Sequence, residues 1–365
     1  MVSVSTHRYR VNVSPEGPGH YLLRVPELDG ANGVAEVTGE CENLDNLEHD
    51  AESLIATVLD SHPDDVDVDI RWDTSNRAVE TCRDRVIRAA EIRRQIGELW
   101  GEYIDRVPRR FAVEPAGTPN TWTLVLRTLE PMPTRLSTLF GEWLYELRAA
   151  LDGILYHLAV RDSGQNPPPA ERGLMFPTFD DPAKFDDPRH RGRLQAVSDE
   201  TFDLLRHVQP FNAKPDHLSN ALWWLDELAR IDRHRYGHAI APHIDRVRIG
   251  VRPPLKMTRD FMPQPPRAVP VDESEPLPFI EVEAPPGWGV REVQRHLEIG
   301  EAASSLPDVT EWAARSSALM KGLDLSKRMQ RCEEQVLFGI VEPLATGNIN
   351  LQPPPATPAP TVPGT

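Results

Sequence analysis

The feature that most constrains the fold is a change of hydrophobic period close to residue 74. From Asp65 to Trp72 polar and apolar residues alternate strictly, with Val66, Val68 and Ile70 on one side and Asp65, Asp67 and Asp69 on the other. A period of two belongs to a half-buried strand. Past the capping cluster Asp73-Thr74-Ser75, the residues Val79, Cys82, Val86, Ala89, Ile92, Ile96, Leu99 and Tyr103 recur at spacings of three and four. That is the seam of a long helix packed on other helices. With 365 residues, the chain is long enough for a domain on each side of this change.

Before the change, His7 to Val13 and His20 to Val25 read as strands around the turn cluster Ser14 to Gly19. The turn Pro26-Glu27-Leu28-Asp29-Gly30 follows, then a short strand from Val34 to Gly39. A helix is expected from about Asn43 to Leu59, with Leu44, Leu47, Ala51, Leu54, Ile55 and Val58 on one face. This β-β-β-α-β order, the Pro-Glu-Leu-Asp-Gly turn and the segment Glu48 to Asp60 resemble the HicB-like antitoxin family over residues 7–72. The resemblance implies a small α/β domain that neutralises a ribonuclease toxin. No DNA-binding segment of the usual kind follows here, which favours a partner-binding module.

Charge supports that expectation. Residues 1–74 carry four arginines, no lysine and 16 acids, a net charge of −12, and the other 291 residues carry −4. So acidic a module repels nucleic acid and attracts a basic protein partner. Asp65, Asp67 and Asp69 share one strand face and could serve a divalent cation. A solvated outer face accounts for the same alternation, so no metal site is assigned.

After the change, the interleaved arginines and acids of residues 80–98 suggest a salt-bridged exposed face, with Asp84 and Arg88 as an i,i+4 pair. A hairpin is expected from Arg110 to Val113 and Thr121 to Arg127. The strongest helix runs from about Leu136 to Arg161, with a core stripe of Leu136, Phe140, Trp143, Leu147, Leu151, Ile154 and Leu158. A second stripe holds Tyr145, Arg148, Asp152 and Tyr156, at the edge of the core. Residues 162–192 suggest an ordered loop anchored by Phe176 and Phe179. A short helix over Ser198 to Gln209 precedes one capped by Asp216, with Leu218, Leu222, Leu225, Leu228 and Ile231 inside. Val247, Ile249 and Val251 suggest a strand with Phe279 to Glu283 as its partner, and Pro253 to Pro278 an irregular segment. Helices over Asp308 to Gly322 and Ser326 to Ala345 close the fold.

The fold class expected is α+β: a small β-β-β-α-β N-terminal domain over residues 1–74, then a mainly α-helical domain with a small accessory antiparallel sheet over residues 75–350. Residues 351–365 are a Pro-rich tail expected to be disordered or polyproline-like. No run of eighteen apolar residues occurs, and Met1 to Arg10 lacks a signal pattern. Cys41, Cys82 and Cys332 are isolated and odd in number, as expected of reduced thiols in a cytoplasm. With five lysines among 40 basic residues, the composition suggests a high-GC genome, bacterial or phage.

Walker, dinucleotide-glycine, H-E-x-x-H, C-x-x-C and G-x-S-x-G patterns are missing, so no cofactor is implied. The densest ionisable stretch is Ile231-Asp232-Arg233-His234-Arg235-Tyr236-Gly237-His238. Together with Leu147-Arg148-Ala149-Ala150-Leu151-Asp152, and over roughly residues 76–345, it resembles an uncharacterised family of bacterial helical proteins. That family's signature is L-R-x-A-L-D followed by D-[KR]-H-R, and the resemblance implies no activity. Arg233 to His238 is also similar to the R-x(4–6)-H motif of HEPN ribonucleases. That similarity implies metal-independent RNA cleavage, with Arg233 steadying phosphate charge, His238 moving protons, His234 in support, and a homodimer bringing two motifs together. The alternative is structural. Asp232 would bridge to Arg148 or His234, Arg148 would also pair with Asp152, and the cluster including Arg235 would lock two helices. His157 reads as a core-edge histidine.

The reading of first rank is a cytoplasmic bacterial binding or regulatory protein, its acidic module engaging a basic partner and its helical domain acting as scaffold. The ribonuclease is the alternative.

Overall fold

The computed structural model describes residues 7–17, 20–42, 46–72, 77–234, 240–244, 247–263, 268–300, 305–315 and 323–347. The chain divides into two units, residues 1–80 and 81–365. Together they give an α+β protein, an N-terminal sheet region followed by a mainly helical part with small antiparallel sheets.

In the first unit, strands β1 (Arg8–Gly17), β2 (His20–Arg24), β3 (Thr38–Cys41) and β4 (Asp67–Trp72) form one sheet in the order β3-β2-β1-β4. β4 lies parallel to β1, and the other pairs are antiparallel. Helix α1 (Leu47–Leu59) supplies the crossover and covers the apolar face, where Val11, Val13, Leu23, Val25, Ala51, Ile55 and Val68 are buried. β1 runs on through much of the expected turn cluster. The third strand starts later than Val34, because the Pro26–Leu28 turn hands the chain to Asp29 and Gly30 first. Asp29 Oδ1 accepts the Val37 amide at 3.0 Å, and Gly30 takes a left-handed conformation at φ +85°. Asp65 ends a 3-10 turn (Pro63–Asp65), so it does not extend the row of Asp67 and Asp69. Asp67 pairs with Arg8 at 3.3 Å and Asp69 with Arg71 at 2.8 Å. Among the described residues no cluster of potential metal ligands occurs. Residues 43–45 of the expected helix start lie outside the described residues.

The second unit is built on α2 (Arg77–Asp105) and α3 (Arg135–Ser163). All seven residues of the expected α3 stripe are fully buried. On α2 the seam also runs as expected, except that Trp100 is buried where Leu99 is half-buried. Between them, β5 (Arg109–Pro115) and β6 (Thr121–Thr128) form the hairpin. The short helices α4 (Pro182–Phe185) and α5 (Pro188–Arg193) follow, then α6 (Asp199–His207) and α7 (Ala221–His234). Asp216 caps a separate 3-10 turn, and Asn220 Oδ1 accepts the Leu222 amide at 2.8 Å where α7 begins.

β7 (Ile240–Ile244), β8 (Ile249–Val251), β9 (Lys256–Asp260), β10 (Val269–Pro270) and β11 (Leu277–Glu283) come next. They are followed by α8 (Val290–Arg295), β12 (Leu297–Ile299), β13 (Ser305–Val309) and α9 (Thr310–Arg315). β11 pairs with β6 and β9, whereas β8 pairs with β12, so the expected partnership between these strands is replaced. β9 and β10 lie inside the segment expected to be irregular, and Asp308 belongs to β13 rather than to a helix. The chain closes with α10 (Leu325–Val336), a π-helical segment (Leu337–Val341) and α11 (Glu342–Thr346). The expected continuation of α9 over 316–322, and the Pro-rich tail, lie outside the described residues. Among the described residues no helix is long and apolar enough to cross a membrane.

Charged pairs tie the bundle together. Arg93 meets Glu333 at 3.0 Å and Arg83 meets Glu342 at 2.7 Å, so α2 runs antiparallel to the α10–α11 arm. Arg85 reaches Glu146 of α3 at 2.9 Å, and Arg88 takes Glu91 at 2.9 Å instead of Asp84. Three of the six arginines of α2, Arg83, Arg85 and Arg93, thus serve as links between helices. Trp143, Trp224 and Trp312 are fully buried and pack as tilted rings, with Trp312 5.8 Å from Trp224 and 6.4 Å from Trp143 between ring centroids.

Candidate functional site

The dense stretch begins at the end of α7. Asp232 is half-buried and lies against Gly141 of α3, where an added Cβ would come within 2.9 Å of its Oδ2. Gly141 thus sets how closely α3 and α7 approach. Arg148 lies further along α3 and reaches Asp226 at 3.6 Å and Thr178 Oγ1 at 3.5 Å. The two helices are therefore antiparallel, with 141 opposite 232 and 148 opposite 226. Seven residues of helix span about 10 Å, which keeps Arg148 away from Asp232. The expected lock of Arg148 with Asp232 and Asp152 is corrected accordingly. Asp152 instead accepts the Phe176 amide at 2.8 Å and pins the following loop.

No hydrogen-bond or ion-pair partner of the Asp232 carboxylate occurs among the described residues, and burial holds its pKa above the ordinary carboxylate value. Arg233 and His234 complete α7 in backbone, and their side chains lie outside the described residues. Arg235 and His238 lie outside them altogether, so the arrangement expected for RNA cleavage falls there too. Of the neighbouring stripe, Tyr156 donates to Asn166 Oδ1 at 3.0 Å, while Tyr145 is 63% exposed and not half-buried. His157 is half-buried, and burial, reinforced by Arg161, pushes its pKa down.

Two buried charge clusters were not anticipated. Glu333 of α10, buried in the bundle, accepts from Trp143 Nε1 at 2.9 Å and from Arg93 Nε at 3.0 Å. Burial raises its pKa and Arg93 opposes that rise. Arg328 of α10 donates to Asp308 and lies over the Trp312 ring at 5.0 Å. Beside this pair His243 is 3% exposed, with Nδ1 3.0 Å from the Ala241 carbonyl and Nε2 3.3 Å from Thr310 Oγ1. Burial pushes the His243 pKa down and that of Asp308 up. The neutral ring thus donates through Nδ1 and accepts the Thr310 hydroxyl through Nε2. Glu333 follows Cys332 on the strongly amphipathic α10, where it is buried beside Met329, Cys332 and Val336, and adjacency to that apolar row is its one sequence signal.

The first unit has an acidic groove between β3 and α1. It has a volume of about 760 Å³ and is lined by Leu23, Gly39, Glu40, Glu42, Asn46, Asp50, Ser53, Leu54 and Thr57, with no basic residue. Gly39 makes room for it. A Cβ there would lie 3.1 Å from Leu54 Cδ2, so β3 and α1 sit close at the groove floor. β3 is an edge strand, bonded on one side to β2. The charge asymmetry of residues 1–74 signalled acidity, and the groove needed the fold.

No family model matches the chain, and neither the curated proteins nor the solved structures include a match.

Proposed function

We propose that this chain is a cytoplasmic binding or regulatory protein whose N-terminal unit holds a basic segment of a protein partner in the groove between β3 and α1. The observation that carries the reading is the groove's lining, in which Glu40, Glu42 and Asp50 surround an opening without a single cation. An extended basic peptide suits it on two counts. Its backbone can add to the β3 edge, and its Lys or Arg side chains can meet the carboxylates. The helical unit then serves as scaffold, its helices tied by the ion pairs Arg83–Glu342 and Arg93–Glu333. Cys41, Cys82 and Cys332 are buried and outside any disulfide, which supports a reducing compartment.

The test is a pull-down from lysate of the source cells, with the full chain and its Glu42→Arg, Asp50→Arg double variant as baits. The expected result is a basic protein retained by the first bait and lost with the second, and released by raised salt. An identical captured set for both baits would remove the reading.

A further inference from the structure

A second cavity lies in the helical unit and has the opposite charge. It measures about 460 Å³ and is lined by Ala170, Glu171, Arg172, Gly173, Arg189, Gly192 and Arg193. Three guanidinium groups against one carboxylate is an unusual balance in a chain of net charge −16. None of the three has a hydrogen-bond, ion-pair or ring partner among the described residues. The other arginines of this region are engaged. Arg191 bonds Asp199 at 2.6 Å and lies over Phe202, Arg206 takes Asp186 through two bonds of 2.9 Å, and Arg161 holds Asp162 at 2.9 Å.

The local fold explains how the three come together. His190 plugs α5 into an aromatic cluster, with ring centroids 4.7 Å from Phe179 and 5.0 Å from Phe185. Asp187 starts the helix by accepting the Arg189 amide at 2.7 Å. Arg189 and Arg193 are four residues apart, on one face of α5. Arg172 comes from the turn Glu171–Gly173, which the left-handed Ala170 (φ +60°) sets up. Isolated surface arginines need no explanation, whereas like charges one turn apart weakly destabilise the helix that carries them, and an anion between them would relieve that repulsion.

We propose that this cavity is a phosphate-binding site for a small phosphorylated ligand, held by the forks of Arg172, Arg189 and Arg193. Guanidinium groups present paired donors that match phosphate oxygens, and the open depression between the turn and α5 leaves room for a small anion. Long-range attraction does not supply the affinity, because the molecule as a whole repels anions. The proposal is independent of the N-terminal groove and stands whether or not that groove takes a partner.

Isothermal titration calorimetry on the full chain in chloride buffer tests it, with inorganic phosphate, pyrophosphate and adenosine monophosphate as probes. Saturable binding of one pyrophosphate per chain is expected, weakened at least tenfold by Arg189→Gln with Arg193→Gln. Tighter binding of the nucleotide than of inorganic phosphate would identify a nucleotide as the source, and the reverse order a free oligophosphate. Arg94→Gln, an exposed cation on α2, is the control and should leave binding unchanged. The proposal is overturned by no saturable heat with any probe, by equal binding in the double variant, or by an equal loss in the control. Circular dichroism should be unchanged in all variants, since these side chains hold nothing in the fold.

Discussion

The bundle interior and the face of α5 treat the same residue type in opposite ways. Inside, Arg93 has Glu333 and Arg328 has Asp308, and both acids are drawn toward their protonated forms by burial. On α5, Arg189 and Arg193 face an open cavity with Glu171 as its one acid, and neither guanidinium forms an ion pair among the described residues. A buried charge without a partner would cost several kcal/mol, so pairing in the interior is compulsory and says little about function. An exposed arginine keeps its water and is free to remain unpaired. Convergence of such free groups is therefore the more informative pattern.

The sharpest way to break this contrast is Glu333→Ala. It strips Arg93 and Trp143 Nε1 of their acceptor inside the bundle, and a loss of about 3–5 kcal/mol in urea unfolding is expected. A loss below about 1 kcal/mol would mean that the interior pair behaves like a surface one.

Next in size is a pH effect. His157, His190 and His243 have folded pKa values below the ordinary 6.5, chiefly through burial. Below 6.5 the unfolded chain binds protons that the folded chain refuses. Their stabilisation is thus complete above pH 6.5 and is lost as pH falls toward the folded values. Each such histidine contributes a slope of up to about 1.4 kcal/mol per pH unit. The buried carboxylates Asp232, Asp308 and Glu333, raised by burial, act in the opposite sense, so the histidine effect is read by comparison: between pH 7 and 5.5 the urea midpoint of His243→Gln should fall less than that of the unsubstituted chain. An unchanged slope would show that His243 protonates freely in the folded state.

The smallest effect is expected on α5, where Arg189→Gln and Arg193→Gln should each change stability by no more than about 0.5 kcal/mol. A thermal scan showing a cost like that of Glu333→Ala would make these arginines structural and erase the contrast.

Much of this architecture is legible in the sequence where the information is local. The α3 stripe from Leu136 to Leu158 and the strand alternation of Val66 to Ile70 each follow from a period, and the structure reproduces both elements. Pairing across elements was less accessible. Arg148 and Asp232 have complementary charge, but their separation depends on where Gly141 lets α7 touch α3. β9 and β10 hide among prolines because an edge position excuses the missing donors. The acidity of the first unit can be counted from the residues, whereas its groove arises only when β3 and α1 meet. The same holds for Arg172, which is seventeen residues from Arg189 in the chain and is brought to the same cavity by a turn and an aromatic plug.

The π-helical segment Leu337–Val341 has a consequence for the last arm of the bundle. In an unbroken α-helix, Glu333 and Glu342, nine residues apart, would point about 180° away from each other. A π turn accommodates one extra residue, which leaves the two carboxylates about 80° apart. The segment works like a vernier between two helical scales. It turns Glu342 back toward α2, so that one helix reads the Arg83 and Arg93 positions of its neighbour at both ends.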